Sequence, residues 1–170
     1  MISKRQFLAS GASLAAVAGV GAFFGIRRAE SAASGEVFEV TKTEAEWRAI
    51  LTPEQYSVLR EEGTERAGTS PLLEEHRDGT FNCAGCDLPV FSSETKFESG
   101  TGWPSFYDAI PNAVAYKEDS TLFMTRTEEH CRRCGGHLGH VFDDGPPPTG
   151  KRHCINGVAL VFAPATEQTG

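Results

Sequence analysis

Cys83-Ala84-Gly85-Cys86 is matched, after 44 intervening residues, by Cys131-Arg132-Arg133-Cys134. Two residues between the cysteines of each pair allow a tight turn to direct both sulfur atoms at one ion, and two such turns supply the four thiolates of a tetrahedral zinc site. We therefore predict one structural Zn²⁺ bound by Cys83, Cys86, Cys131 and Cys134. Because four sulfur ligands leave no open coordination position, this ion is expected to stabilise the fold and not to bind substrate.

The same four cysteines allow other interpretations. Five cysteines in an exported chain would ordinarily suggest two disulfides and a spare thiol, and a Cys-x-x-Cys pair is also a redox motif. Iron or an iron–sulfur cluster uses similar spacing. Zinc is favoured because a redox motif does not need a second matching copy. His137 stands at ligand spacing from Cys134, but four cysteine ligands leave both His137 and His140 free for chemistry.

From Phe81 onward the sequence has the pattern of a mainly β fold. Short runs of β-type residues are separated by Gly, Pro, Asp and Asn, which predicts small antiparallel sheets. The runs are Leu88–Phe91, Ala113–Lys117, Thr121–Thr125 and Val158–Phe162. Residues 145–150, Gly-Pro-Pro-Pro-Thr-Gly, can continue neither a strand nor a helix, so we expect a stiff loop that determines how the last strand arrives.

Two short helices are predicted ahead of the β region. Thr43-Glu44-Ala45-Glu46 is a capping box, and Thr52 followed by Pro53 starts a second helix with a fresh N-cap and a proline in the first turn. Trp47 and Tyr56 fall on the apolar faces of these helices. Aromatic residues at helical spacing are mostly core residues, so we expect packing support here, and lining of a pocket is the alternative.

The first 33 residues have the pattern of a targeting segment and are excluded from the fold. Lys4 and Arg5 form a basic start, residues 7–26 are uncharged and rich in Ala and Gly, and Ser31–Ala33 offer small residues for cleavage. Residues 3–8 resemble a twin-arginine signal with Lys in place of the first Arg. The expectation is export, to a bacterial periplasm. Because the uncharged run of 20 residues is long enough to cross a bilayer, an uncleaved membrane anchor is the alternative.

The charge balance narrows the possible partners. Residues 1–33 hold four of the 16 basic and one of the 23 acidic residues, so the remainder carries a net charge of −10. An acidic surface repels phosphate backbones and anionic headgroups, so we expect no nucleic acid and no membrane contact outside the N-terminal segment. Predicted boundaries are a linker at 34–42, one domain at 43–165 and a tail at 166–170.

Cys154 is the cysteine without a partner. A lone cysteine is more often buried and inert than reactive. Two segments of chemically demanding residues accompany it: the paired histidines of His137–Phe142, and Gly100–Phe106 with Trp103 at its centre. Each segment also has a purely structural interpretation, with the histidines satisfied in the interior and the tryptophan packed in the core.

The order of motifs along the chain resembles the B-type methionine sulfoxide reductases. The resemblance covers about Thr43 to Phe162. Its motifs are Cys-Ala-x-Cys, Lys96–Phe106, Arg126–Glu128, Cys-x-x-Cys-Gly, His137–Phe142, Asp144–Pro146 and Cys154–Asn156.

This resemblance implies a fold of two small antiparallel sheets, a structural zinc ion on the four paired cysteines, and Cys154 as the nucleophile. It also implies that Trp103 receives the methyl group of a methionine-R-sulfoxide, with His137, His140, Phe142 and Asn156 around the sulfoxide. The chemistry agrees: a thiolate attacks the sulfoxide sulfur, a histidine supplies a proton to the oxygen, and a sulfenic acid remains for thiols to reduce. His137 and His140 are both candidates for the acid.

Two residues depart from the family pattern. Many members carry a resolving cysteine between the two glycines that precede the tryptophan, where this chain has Thr101. We therefore expect an external reductant, either a thioredoxin-like protein or a small thiol, to reduce the Cys154 sulfenic acid directly. His153 replaces a residue that is usually aromatic. In an extended segment it would face away from the Cys154 sulfur, which argues against a catalytic role.

We expect a monomeric enzyme that acts on oxidised proteins. The competing hypothesis is a non-catalytic zinc module that binds a partner through Trp103 and the neighbouring loops. Cys154 with two free histidines discriminates between them, because a binding module does not require that set.

Overall fold

The computed structural model describes residues 37–120 and 125–165. The predicted targeting segment at 1–33, the tail at 166–170 and most of the predicted strand Thr121–Thr125 lie outside the described residues. Within them, no helix is both long enough and apolar enough to cross a membrane.

Both predicted helices are confirmed. Helix α1 spans Glu44–Ile50 and helix α2 spans Pro53–Glu61, and each begins with a complete capping box, formed by Thr43 with Glu46 and by Thr52 with Gln55. In each box the threonine hydroxyl accepts from a main-chain N–H of the first turn, while the third helical residue accepts from the N–H of the threonine. Trp47 and Tyr56 are buried in the core, as expected.

The described β-strands form two antiparallel sheets, which confirms the mainly β fold. The smaller sheet has the order β2-β1-β9, and the larger has the order β3-β4-β8-β7-β6-β5. The strands are β1 Gly79–Cys83, β2 Pro89–Ser92, β3 Lys96–Phe97, β4 Ser105–Phe106, β5 Val114–Asp119, β6 Arg126–Cys131, β7 His137–Phe142, β8 Arg152–Ile155 and β9 Leu160–Pro164.

The sequence-based strand boundaries need two corrections. The residue pattern starts the last strand at Val158, but Gly157–Ala159 forms a 3-10 turn and β9 begins only at Leu160. The paired-histidine segment, which is not among the predicted runs, is β7, an interior strand of the larger sheet. Gly145 to Gly150 form the predicted loop, which the main-chain N–H of Gly145 closes by donating to the carbonyl of Gly150.

The core lies between the two sheets. Phe81 on β1 and Phe91 on β2 pack against Phe106 on β4, with ring centroids 5.0 and 4.4 Å apart from that of Phe106. All three side chains are fully buried. Because β4 pairs directly with β8, this aromatic contact also fixes the strand that carries Cys154.

Strands β7 and β8 approach closely at Gly139. A Cβ atom at this position would lie 2.1 Å from the carbonyl oxygen of Cys154, which no side chain tolerates. The glycine therefore permits the register in which His140 stands directly opposite Cys154.

Candidate active site and metal centre

The two Cys-x-x-Cys pairs meet at one point. Their four sulfur atoms all lie within 4.8 Å of one another. The Sγ atoms of Cys83 and Cys134 are 3.7 Å apart, and those of Cys86 and Cys131 are 3.5 Å apart. A tetrahedral site with metal–sulfur bonds of about 2.3 Å requires sulfur–sulfur distances of about 3.8 Å. A disulfide bond requires about 2.05 Å. The arrangement fits a metal site, as predicted.

The metal-site cysteines stand at the ends of strands and in the turns that follow them. Cys83 ends β1 and Cys131 ends β6. After each strand the chain turns back, with the main-chain N–H of Asp87 donating to the Cys83 carbonyl and that of Gly135 donating to the Cys131 carbonyl. The cluster thus connects the smaller sheet to the larger one.

Cys154 opens into a cavity of about 140 Å³. The thiol is half-buried on β8, between Ser105 on β4 and His140 on β7. Described residues that line the cavity are Thr64, Trp103, Arg126, Gly139, His140, Phe142, Cys154 and Asn156. Five of the six residues predicted for catalysis and substrate binding are in this set.

His140 is the histidine that faces the cavity. Its Nε2 is 2.8 Å from Asp119 Oδ2, and the same oxygen accepts a hydrogen bond of 2.6 Å from Arg126 Nη2. Because a carboxylate oxygen accepts, Nε2 carries the proton and Nδ1 is the nitrogen that can take up another. Burial lowers the pKa of His140, and this outweighs the opposite effect of the Asp119 hydrogen bond. The imidazole is therefore neutral at pH 7.

His137, the sixth predicted residue, lies behind His140 and outside the set that lines the cavity. It is buried, its ring centroid is 5.4 Å from that of His140, and its Nδ1 is 2.6 Å from Glu128 Oε1. His130 Nδ1 is 2.8 Å from the other Glu128 oxygen. Burial alone would raise the pKa of Glu128, but the hydrogen bonds from His130 and His137 lower it to about 2. The ionised carboxylate fixes Nδ1–H on both rings.

His153 points to the opposite side of β8. Its Nδ1 lies 2.9 Å from both carboxylate oxygens of Glu129, and both side chains are buried. Burial raises the pKa of Glu129. The imidazole packs against Phe91, with ring centroids 5.7 Å apart. The expectation that His153 faces away from the Cys154 sulfur is therefore confirmed.

Arg152 is a residue that the sequence analysis missed. It holds Asp144 through two hydrogen bonds of 2.8 and 2.9 Å, and its guanidinium lies 4.5 Å from the centroid of the Phe142 ring. Arg152 precedes Cys154 by two residues, and side chains two apart on a strand share a face. This alternation was a usable signal for placing a cation beside the thiol.

The thiol of Cys154 receives opposing influences. Burial raises its pKa, while a hydrogen bond from Thr101 and the positive charge of Arg152 lower it in part. Thr101 Oγ1 is 3.9 Å from Cys154 Sγ. Burial therefore favours a protonated thiol and a neutral imidazole in this cavity.

A SelR domain model matches residues 51–164. The chain belongs to the SelR-domain family. It is 58% identical over 132 residues to "Peptide methionine sulfoxide reductase MsrB" of Methanosarcina barkeri, which covers 77% of this chain and 92% of the relative. The protein of that name from Thiobacillus denitrificans is 59% identical over 125 residues, covering 72% and 94%. That from Agrobacterium fabrum is 56% identical over 127 residues, covering 74% and 94%.

These matches confirm that the chain resembles the B-type methionine sulfoxide reductases, as its sequence motifs indicated.

In this SelR-domain protein, Asn156 has both ends of its amide engaged: Oδ1 accepts from the Glu65 main chain at 3.0 Å, and Nδ2 donates to the Leu138 carbonyl at 3.0 Å. The amide therefore has a fixed orientation in the cavity wall.

Alkylation of Cys154 by iodoacetamide tests the electrostatics of the SelR-domain site. Because the pKa of the thiol is raised, its alkylation rate in the folded protein should still increase with pH above the pH midpoint that the same cysteine shows in denaturant. Arg152→Met should shift the midpoint further upward and slow alkylation at pH 7 by about threefold. The measurement is mass spectrometry of the Cys154 peptide over a pH series.

Lys151→Met is the matched control, because it removes the same charge from the adjacent, exposed position, where the side chain pairs with Asp143. Equal shifts in both variants would show that the effect is not specific to Arg152.

Proposed function

We propose that this SelR-domain protein reduces methionine-R-sulfoxide in oxidised proteins to methionine, acting as a monomer with Cys154 as its nucleophile. The observation that carries the proposal is the register of β7 and β8, which sets His140 directly across from Cys154 in a cavity that Trp103 also lines. A thiol, a proton carrier and an apolar wall are what sulfoxide reduction requires.

The proton for the reaction comes from Cys154 itself. The thiol gives its proton to neutral His140, and the thiolate attacks the sulfoxide sulfur. The oxygen receives this proton and passes to the Cys154 sulfur as methionine departs, so the sulfoxide gains two electrons and the thiol becomes a sulfenic acid. No proton or electron is needed from outside for this step. His137 packs against His140, with ring centroids 5.4 Å apart, and is the second candidate for the acid.

Trp103 supplies selectivity for the R-sulfoxide. Its indole presents a broad apolar face that suits a methyl group and a sulfur atom. A substrate of the S configuration that places its methyl group in the same position would direct its oxygen at this apolar wall. Phe142 completes the wall next to Arg152.

An external thiol completes the cycle. Thr101 stands where many members of the family carry a resolving cysteine. Its hydroxyl oxygen lies 3.9 Å from the Cys154 sulfur. One thiol condenses with the sulfenic acid to form a mixed disulfide and water, and a second thiol displaces Cys154 from it. A thioredoxin-like protein or a small thiol provides both equivalents.

The ion in the four-sulfur cluster is Zn²⁺ in this proposal. The cysteine set and the sulfur–sulfur distances of 3.5 and 3.7 Å suit a closed tetrahedral site. The ion holds the end of β1 against the end of β6 and takes no part in the reaction.

Residues 1–33 act as a twin-arginine-like signal that exports the domain to the periplasm, or as a membrane anchor if they are not removed. Sequencing the N-terminus of the exported protein distinguishes the two. Recovery of the protein in the cytoplasm alone would reject export.

Cys154→Ser tests the reaction. The wild type should reduce the R-sulfoxide of a blocked methionine in dithiothreitol and leave the S-sulfoxide unchanged, and the variant should lose more than about a thousandfold in kcat/KM because a serine hydroxyl is a poor nucleophile. Product is measured by chromatography, and circular dichroism controls for folding.

Equal turnover by a folded Cys154→Ser protein would reject the mechanism. A wild type that reduces neither sulfoxide but binds a partner through Trp103 would favour the non-catalytic module, while faster reduction of disulfides or peroxides would indicate a different thiol reductase.

Thr101→Cys tests the recycling step. After one turnover without reductant, the wild type should carry one added oxygen on Cys154 and no internal disulfide. Since residue 101 contacts the Cys154 sulfur, the variant should instead lose two hydrogen masses by forming a disulfide between the introduced cysteine and Cys154. Intact-protein mass spectrometry distinguishes the products, and an internal disulfide in the wild type would contradict direct reduction.

Metal content tests the zinc assignment. Elemental analysis should find one Zn²⁺ per chain, and replacing Cys83 and Cys86 by serine should remove both the metal and the cooperative unfolding transition. Glu94→Gln, an exposed substitution away from the cluster, serves as the control. A variant that loses the metal but keeps its melting temperature would contradict a stabilising role.

A further inference from the structure

Residue Glu65 lies in the segment between α2 and the 3-10 turn Pro71–Glu74, next to the cavity but not among the residues described as lining it. It makes four hydrogen bonds. Its carbonyl accepts from Trp103 Nε1 at 3.1 Å, and its N–H donates to Asn156 Oδ1 at 3.0 Å. Its two carboxylate oxygens accept from the main-chain N–H groups of Gly157 and Val158, at 2.6 and 3.0 Å. Two of the predicted site residues therefore share this one partner.

We infer that Glu65 is a positioning residue that orients the Trp103 indole and the Asn156 amide for the substrate sulfoxide. The inference rests on the proposed function only where it concerns substrate. Glu65 does not touch the reacting atoms. It acts through its main chain, which its own carboxylate holds in place.

The carboxylate provides a firm attachment. Hydrogen bonds from N–H groups to an ionised carboxylate are shorter and about twice as strong as neutral ones. Gly157 is buried, and Val158 and Glu65 are half-buried, so water would replace these hydrogen bonds poorly if the carboxylate were removed. The two carboxylate oxygens accept from consecutive main-chain N–H groups directly after Asn156. The carboxylate therefore fixes the Glu65 main chain relative to β8, the strand that carries Cys154.

A second contact connects the same segment to the Trp103 loop. The main-chain N–H of Gly68 donates to the Gly102 carbonyl at 2.7 Å. Gly102 has a φ of +90°, and a Cβ atom on it would lie 3.0 Å from the Ala67 Cβ. A displacement of the Glu65 segment is therefore passed on to Trp103 through two independent hydrogen bonds.

The competing explanation is that Glu65 only stabilises the Gly157–Ala159 turn. In that case its loss would lower the melting temperature and leave Trp103 in place. The two explanations differ in the mobility of the indole and in the KM for substrate, because only a positioning role predicts changes in both.

The decisive experiment measures hydrogen exchange of the two indole N–H groups by NMR in the zinc-loaded protein. Trp103→Phe assigns the Trp103 resonance, and Trp47, buried in the core, is the internal reference. In Glu65→Ala the Trp103 N–H should exchange about tenfold faster, with Trp47 unchanged. Glu65→Gln keeps one acceptor oxygen and the side-chain shape, so a smaller increase is expected. It also serves if Glu65→Ala does not fold.

Kinetics supply the second readout. In Glu65→Ala the KM for the R-sulfoxide should rise about tenfold, because a displaced indole no longer positions the substrate. Glu62→Gln is the matched control: it changes an exposed carboxylate of the same segment that pairs with Lys117.

Unchanged Trp103 exchange in a folded Glu65→Ala or Glu65→Gln protein would overturn the inference, whatever the activity. Faster Trp103 exchange without a change in KM would also overturn it, since the orientation would then have no consequence for substrate. If the wild type itself reduces no sulfoxide, the proposed function fails, and the exchange data still decide whether Glu65 orients Trp103.

Discussion

The pairing of β7 with β8 is the interaction on which the site depends. It is possible only because residue 139 lacks a side chain, since a Cβ atom there would lie 2.1 Å from the Cys154 carbonyl oxygen. The resulting register sets His140 opposite Cys154 and Val141 opposite His153. One close approach therefore decides which histidine meets the nucleophile and which is turned to the other face. The four-sulfur cluster includes Cys131 at the end of β6, the strand that pairs with β7.

Strand β6 carries two adjacent buried carboxylates that serve opposite faces of the sheet. Glu128 binds His130 and His137 on the side of the cavity, and Glu129 binds His153 on the side of the aromatic core. Removing one partner would leave the other as a buried polar group without its hydrogen bond, at a cost of about 1 to 3 kcal/mol. The hydrogen bonds to Glu129 engage His153 on the side of β8 opposite the thiol, which gives it a structural role although it is next to the nucleophile.

Features that depend on neighbouring residues could be predicted from the sequence, because each helix cap is completed three residues later and each Cys-x-x-Cys turn forms its own half of the metal site. The start of β9 could not be predicted, since the Glu65 carboxylate that holds the turn at Gly157 lies 92 residues earlier in the chain. The relative placement of His137 and His140 could not be predicted either, because it depends on strand pairing. In a regular strand, residues three apart point to opposite faces. The rings of His137 and His140 come within 5.4 Å of each other because the pairing of β6 with β7 shifts next to His130.

The electrostatic state of the site follows from burial and suits a reaction with an internal proton balance. A thiol with a raised pKa and a histidine with a lowered pKa favour the neutral pair over the ion pair at rest. An enzyme that had to protonate the leaving oxygen from an independent acid would need a charged imidazole before substrate arrives. In the proposed mechanism, the proton that Cys154 releases is the one that the oxygen takes up, so the neutral pair holds the right number of protons. Under the same proposal, Asp119 stabilises the imidazolium during the transfer and Arg152 stabilises the thiolate. In this mechanism, the His140 imidazole is positively charged only during the transfer of the oxygen atom.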